Sequence, residues 1–412
     1  MISKKMAAFL IINVILVSGF TFAKEPHSVK KNTPTKKVIV LALDGGGIKG
    51  VIPATFLQHI ETSLGKQSYQ LFDVIGGTST GGIISAALTS IKQKDKLPRT
   101  AEQIVQIYKN NGSDIFTPEE CLVEMCATYS VDNGSGKGIE VFLQKTFGKT
   151  TSLSESNAHI RLLPDSRVRQ MFTTAYIVNS KGDIVASPVK GEDYGPYLFN
   201  WFDAAQDKTK HNYMVWEAAR GTSAAPTFFP VAHVGGGKGL RSPMPEKWVI
   251  DGGTMSNDPA VWGVAEALRT GLAKDLKDII VISLGTGIYP GSAGVGIHNN
   301  ATDDTPKDGN WSTVPWVVEK LYDLEGEAHT RGALLSVVLS AVQMVSDNQL
   351  KALEKAGLQY YRLEPKLTIK QDQMDNISPE NINALIATTN NYLKSKNGKK
   401  TFEDIVAAIK NN

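Results

Sequence analysis

The stretch KVIVLALDGGGIKG, residues 37–50, decides the fold. Its first seven residues, 37–43, are Lys37 and then a continuous apolar run rich in β-branched side chains, which suits a strand buried on both faces of a parallel sheet. Asp44 and three glycines end the run, and Ile52, Phe56, Leu57 and Ile60 then fall on one face of a helix. The pattern repeats at once. FDVIGG, 72–77, is a second short strand that breaks into GTSTGG, 77–82, and Ile83, Ile84, Ala87 and Leu88 follow at helical spacing. Strand, glycine turn, helix, twice over, predicts an α/β fold with a parallel sheet.

Working outward, further strands are predicted at 170–178, 248–250 and 279–284. The last two run into DGG at 251–253 and GTG at 285–287. Open α/β sheets carry their chemistry where strands give way to loops, so four glycine turns after four strands predict one shared active edge. Residues 111–165 are rich in turn formers and charge, with a short helical pattern near 139–147, and read as a surface insertion or lid-like segment. Residues 290–315 read as a long loop, 317–353 as mostly helical and 379–411 as two amphipathic helices.

The first 23 residues differ from the rest. Lys4 and Lys5 precede an apolar run, and small or polar residues follow up to Ala23, the order of a secretory signal. Cleavage there leaves a chain starting at Lys24, exported to periplasm or medium. Residues 24–36 are a polar, basic linker, and 37–412 a single catalytic domain with its core at 37–290 and a helical C-terminal part at 316–412. Loss of Lys4 and Lys5, and of no acid, takes the formal net charge from +3 to +1. A nearly neutral chain gives no electrostatic case for nucleic acid. Cys121 and Cys126 either close a small loop or stay free thiols, and no Cys/His cluster has metal-ligand spacing.

Three motifs carry chemistry. Gly77-Thr78-Ser79-Thr80-Gly81 is a G-x-S-x-G placed between a strand and a helix, where a tight turn can lift the serine hydroxyl above the sheet; the alternative is a helix N-cap serine. Asp251 ends an apolar strand and precedes Gly252 and Gly253, so it is a candidate base if an apolar pocket raises its pKa; the alternative is a turn-forming aspartate. Asp44-Gly45-Gly46-Gly47-Ile48-Lys49-Gly50 offers backbone N–H groups at a helix start, able to bind an oxyanion. The same string is a G-x-G-x-x-G, which keeps dinucleotide binding in play, although Asp44 sits where a pyrophosphate would lie and no acid ends the second strand. Lys49 either orients the glycine turn, attracts a lipid phosphate or is a solvated side chain. None of the seven histidines stands out as a base, with His233 the one to keep in view.

Together, DGGGIKG at 44–50, GTSTGG at 77–82 and DGG at 251–253, with ARGTSAAPTFFP at 219–230 and ISLGTG at 282–287, resemble the patatin-like phospholipase family. The resemblance implies a three-layer α/β/α sandwich with a mainly parallel central sheet, related to the α/β-hydrolases. It implies a lipid acyl hydrolase without cofactor or metal, acting on membrane or micellar lipid, with Ser79 as nucleophile, Asp251 as base, the Gly45, Gly46 and Gly47 amides as oxyanion hole, and no histidine. Lys49 departs from the arginine more usual in the family. The rivals are a Ser–His–Asp carboxylesterase and a non-catalytic lipid- or dinucleotide-binding protein.

Overall fold

The computed structural model describes residues 36–91, 95–119, 127–179, 194–289, 320–322, 328–330 and 333–412. The signal at 1–23, the linker up to residue 35, Cys121, Cys126 and the loop at 290–315 lie outside the described residues.

The chain runs through β1 (Val38–Leu43), α1 (Val51–Leu64), β2 (Val74–Gly77), α2 (Thr80–Thr89), α3 (Ala101–Asn110) and α4 (Ile139–Phe147). It continues through β3 (Gln170–Asn179), β4 (Gly195–Asn200), α5 (Val215–Thr222), β5 (Ala232–Val234), β6 (Lys247–Asp251), α6 (Ala260–Arg269) and β7 (Ile279–Leu284). Then come β8 (Lys320–Tyr322), β9 (Ala328–Thr330), α7 (Ala333–Leu353), β10 (Gln359–Leu363), α8 (Pro379–Lys394) and α9 (Lys396–Lys410). One eight-stranded sheet has the order β10-β7-β1-β2-β3-β6-β5, with β4 also paired to β3. The five strands from β10 to β3 are parallel, whereas β6, β5 and β4 pair antiparallel.

The alternation along β1 builds the layers. Ile39, Leu41 and Leu43 point into a core shared with α1, α2, α3, α4, α5, α8 and α9, and Val38, Val40 and Ala42 into a second core with α6 and α7. All six residues are buried, as a strand covered on both faces demands. Removing each larger side chain from water stabilises the fold by roughly 1.5–3 kcal/mol. The result is the α/β/α sandwich.

Three sequence expectations are corrected. The described residues of 111–165 are not a surface lid: Ile139, Leu143, Phe147, Leu153 and Ile160 are fully or almost fully buried in the main core. Their polar neighbours occupy the outer faces of amphipathic helices, which hides the apolar stripe from a composition reading. The part after 316 is not uniformly helical, because β8 pairs with β9 and β10 adds an edge strand to the main sheet. The third correction concerns Asp251. Its strand does not run with the others toward the shared edge. β3 is ten residues long and overshoots its neighbour, and β6 pairs back along the overhang in the opposite direction. Gly77 is level with Thr173 and Asp251 with Ala175. Asp251 therefore arrives at the edge from above, two residues past Thr173, just as Ser79 stands two residues past Gly77.

Candidate active site

Ser79 occupies the turn between β2 and α2 with φ 54° and ψ −121°, a left-handed conformation that a serine adopts only under constraint. The constraint comes from close-packed backbone. A Cβ on Gly77 would lie 2.1 Å from the Gly81 carbonyl oxygen, and one on Gly81 2.1 Å from that of Leu43. Only glycines let β1, the turn and α2 approach so closely. Ser79 makes no side-chain cap to its helix, which removes the N-cap reading. It is also the sole residue between Val74 and Gly82 that is not buried. Its own N–H donates to the Thr222 hydroxyl at 2.9 Å.

Asp251 is buried, its carboxylate accepts from the Gly253 N–H at 2.7 Å, and it borders the same cleft as Ser79, whose hydroxyl is near enough to pull its pKa down. Burial raises its pKa to about 6, against the opposing pull of those two donors and of buried Arg220. Gly252 is required beside it, because a Cβ there would sit 2.0 Å from the Thr174 hydroxyl. Asp251 makes the turn bond of the alternative reading, and its raised pKa makes it a candidate for a general base as well.

The glycine loop after β1 divides its donors. The Gly45 N–H is taken by the Asn257 carbonyl at 3.1 Å, and the Gly45 carbonyl accepts from the Thr286 hydroxyl at 2.7 Å. Gly45 is therefore pinned, and the expectation that its amide serves an oxyanion is corrected: β1 and the turn after β6 need that backbone pair to hold together. Gly46 and Gly47 are partly exposed and border the same cleft as Ser79 and Asp251. Among the described residues no acceptor takes their N–H groups. Gly50 closes the loop against α2 and α3, where a Cβ would meet the Thr80 and Tyr108 hydroxyls.

Lys49 is neither solvated nor open to a lipid phosphate, and its place fits the expectation that it orients the glycine turn. Its ammonium pairs with Asp372 at 2.9 Å, both side chains nearly buried, so it is a structural cation that ties the loop to the C-terminal part. Asp44 is fully buried and turned away from the cleft, pairing with Arg362 at 2.6 Å. His59, His159, His211 and His233 all lie off the cleft. His233 stacks on Trp248 and bonds Glu246 and Arg241.

The cleft leading away from Ser79 is walled by Ile83, Ile104, Ile107, Phe142, Phe228 and Phe229, with Leu339 at its rim. Sequence reading missed Asn257 and Thr222; their placement depends on long-range packing, and the sole signal for Thr222 was its position in ARGTSAAP. Among the described residues no cluster of His, Cys, Asp and Glu could hold a metal.

A strand-end hydroxyl, a buried carboxylate and open amides above an apolar cleft are the parts of an acyl hydrolase on an α/β sandwich. The family described as patatin-like phospholipase matches residues 41–261, more than half of the chain, and the chain belongs to that family, whose members are lipid acyl hydrolases. Patatin group D-2 from Solanum tuberosum is 26% identical over 426 residues, covering 98% of this chain and 94% of the relative. Patatin-like protein 2 from Oryza sativa subsp. indica is 25% identical over 384 residues, covering 88% and 86%. A solved structure, VipD from Legionella pneumophila, covers 86% of this chain and 67% of its own at a TM-score of 0.31 and 12% identity, too distant to inform the site.

Proposed function

We propose that the chain is a phospholipase A-type hydrolase that releases fatty acid from acyl lipids through a Ser79–Asp251 dyad. The observation that carries this reading is Ser79 and the buried, raised-pKa carboxylate of Asp251 brought together on one cleft with apolar walls. Asp251 takes the Ser79 proton as the oxygen attacks the ester carbon. The carbonyl oxygen becomes an oxyanion facing the Gly46 and Gly47 N–H groups. The intermediate collapses, Asp251 returns the proton to the departing alcohol or lysolipid oxygen, and an acyl-serine remains. Water then attacks that ester, Asp251 takes its proton, and the fatty acid leaves as the proton returns to Ser79. The acyl chain lies along Ile83, Ile107 and Phe142.

The test is fatty-acid release from phospholipid vesicles by the full chain, with the lysolipid identified by mass. Ser79→Ala should abolish release, and wild-type turnover in that variant would end the reading. The order of charge, apolar run and small residues at 1–23 supports export; secreted protein retaining an intact N terminus would refute cleavage after Ala23.

A further inference from the structure

We propose that Arg362, on the edge strand β10 and outside the segment matched by the family, is a positioning residue that holds the Gly46–Gly47 loop in its oxyanion-binding shape. This rests on the dyad reading above, and it concerns a group that touches neither substrate nor Ser79.

Arg362 has an 11% exposed side chain and gathers partners from four places in the chain. One guanidinium nitrogen donates to Asp44 at 2.6 Å and also to Glu364; the other donates to Asp258 at 3.1 Å and to the Ser283 hydroxyl. Asp44 is the residue immediately before the glycine loop, and Asp258 follows Asn257, whose carbonyl pins Gly45. Glu364 extends the brace. It accepts from the Gly287 N–H and from Gln343 at 3.0 Å, and Gln343 in turn accepts from the Asn257 amide at 3.1 Å. The hydroxyl of Thr286, next to Gly287, holds the Gly45 carbonyl. The N-terminal side of the glycine loop, Asp44 and both backbone groups of Gly45, is therefore fixed to partners of one nearly buried cation or to their chain neighbours.

The charge count explains why an arginine is needed. Three carboxylates surround a single guanidinium, so the cluster is over-negative if all are ionised. Burial drives the pKa of Asp44, Asp258 and Glu364 upward while Arg362 opposes it. Only a planar fork with several donors can satisfy these oxygens from one centre. Without it, negative charge stands directly behind the amides that face a developing oxyanion. The far side of the loop is held separately, by the Met374 carbonyl on the Ile48 N–H and by the Lys49–Asp372 pair, so the Arg362 cluster sets the approach from β1. Because the oxyanion exists only after attack, a misplaced loop lowers kcat while leaving binding of the acyl chain intact.

The experiment measures kcat and KM of the purified full chain on a soluble fatty-acyl ester, per folded protein by near-ultraviolet circular dichroism. Arg362→Gln should lower kcat by about 100-fold, the range seen when one oxyanion donor is lost, with KM within about threefold. Arg362→Lys should fall between that and wild type, since it keeps charge but not the fork. A folded Arg362→Gln with kcat within about twofold of wild type would overturn the proposal, as a merely structural role predicts a lower melting temperature alone. If Arg362→Gln does not fold, Asp44→Asn carries the test: it relieves the excess charge, yet should still cost about tenfold in kcat, and an unchanged kcat refutes the proposal. The dyad is judged separately. Wild-type turnover in Ser79→Ala removes the dyad, whereas an inert Ser79→Ala beside unaffected Arg362 and Asp44 variants removes only the positioning role.

Discussion

The Thr222 hydroxyl accepts the Ser79 N–H at 2.9 Å, so the last residue of α5 holds the strained turn that presents the candidate nucleophile. Left-handed backbone at a serine costs on the order of 1–3 kcal/mol, and a neighbour has to hold it. The same threonine packs over Gly82, where a Cβ would meet its methyl group at 2.5 Å. Thr222→Val keeps the shape and removes the acceptor. It should lower kcat about tenfold and destabilise the fold by about 1–3 kcal/mol, the cost of an orphaned buried N–H. Steady-state kinetics and chemical denaturation check both, and an unchanged kcat would show that the turn holds itself.

Asp251 should set the acid limb of activity. A base works only when deprotonated, and burial places its pKa at about 6. The value of kcat/KM should therefore fall tenfold per pH unit below about 6 and be flat above it. A profile that stays flat down to pH 4.5 would assign the base elsewhere.

The same burial has a thermodynamic sign. The folded pKa of Asp251 lies above the unfolded value of about 3.9. Its stabilising contribution is complete below the unfolded pKa and is lost as the pH rises through about 6. Asp251→Asn removes the buried charge. The variant should be more stable than wild type by up to about 3 kcal/mol at pH 8, gain nothing at pH 3.5, and be nearly inactive at both. Denaturation at the two pH values measures the difference.

Lys49 should matter for stability and not for headgroup choice. Breaking a nearly buried pair leaves Asp372 without this partner, a loss of about 3–5 kcal/mol by analogy with other buried pairs. Lys49→Met should lower the melting temperature sharply, while the ratio of rates on anionic and zwitterionic vesicles stays fixed. A changed ratio in a folded variant would restore the lipid-phosphate role.

Gly81→Ala should fail outright, because the new Cβ would meet the carbonyls of Leu43 and Asp44, backbone that cannot swing aside. Gly65→Ala is the control. Nothing lies within 4 Å of its Cβ, so only the φ of +62° resists it, at about 1 kcal/mol. Equal stability of the two variants would contradict this account of the turn.

Much of the architecture was legible because it is written in local patterns. The runs at 38–43, 74–77 and 279–284 are apolar on both faces, and each became a buried parallel strand. The glycines around Ser79 announced a tight turn. What escaped depends on contacts between distant segments. Nothing near residue 251 states that β6 runs against β3, since a five-residue strand with an apolar centre has no direction until it is paired. Nothing near residue 45 tells that its N–H belongs to Asn257. QYYRL at 359–363 mixes polar and aromatic residues on an edge strand, so it lacked the continuous apolar run that betrayed the central strands.

The antiparallel approach of β6 and the edge position of β10 bear on how far the protein can be trimmed. The stretch from 41 to 261 holds Ser79, Asp251 and the glycine loop, yet it omits β7, which pairs with all six residues of β1. Cutting there would turn the middle of the sheet into a raw margin of unpaired amides and carbonyls, flanked by exposed isoleucine and valine. Such a fragment would seek strands from its neighbours and precipitate. The matched stretch is a mark of family and not a self-sufficient body, since the strand that covers β1 lies beyond it.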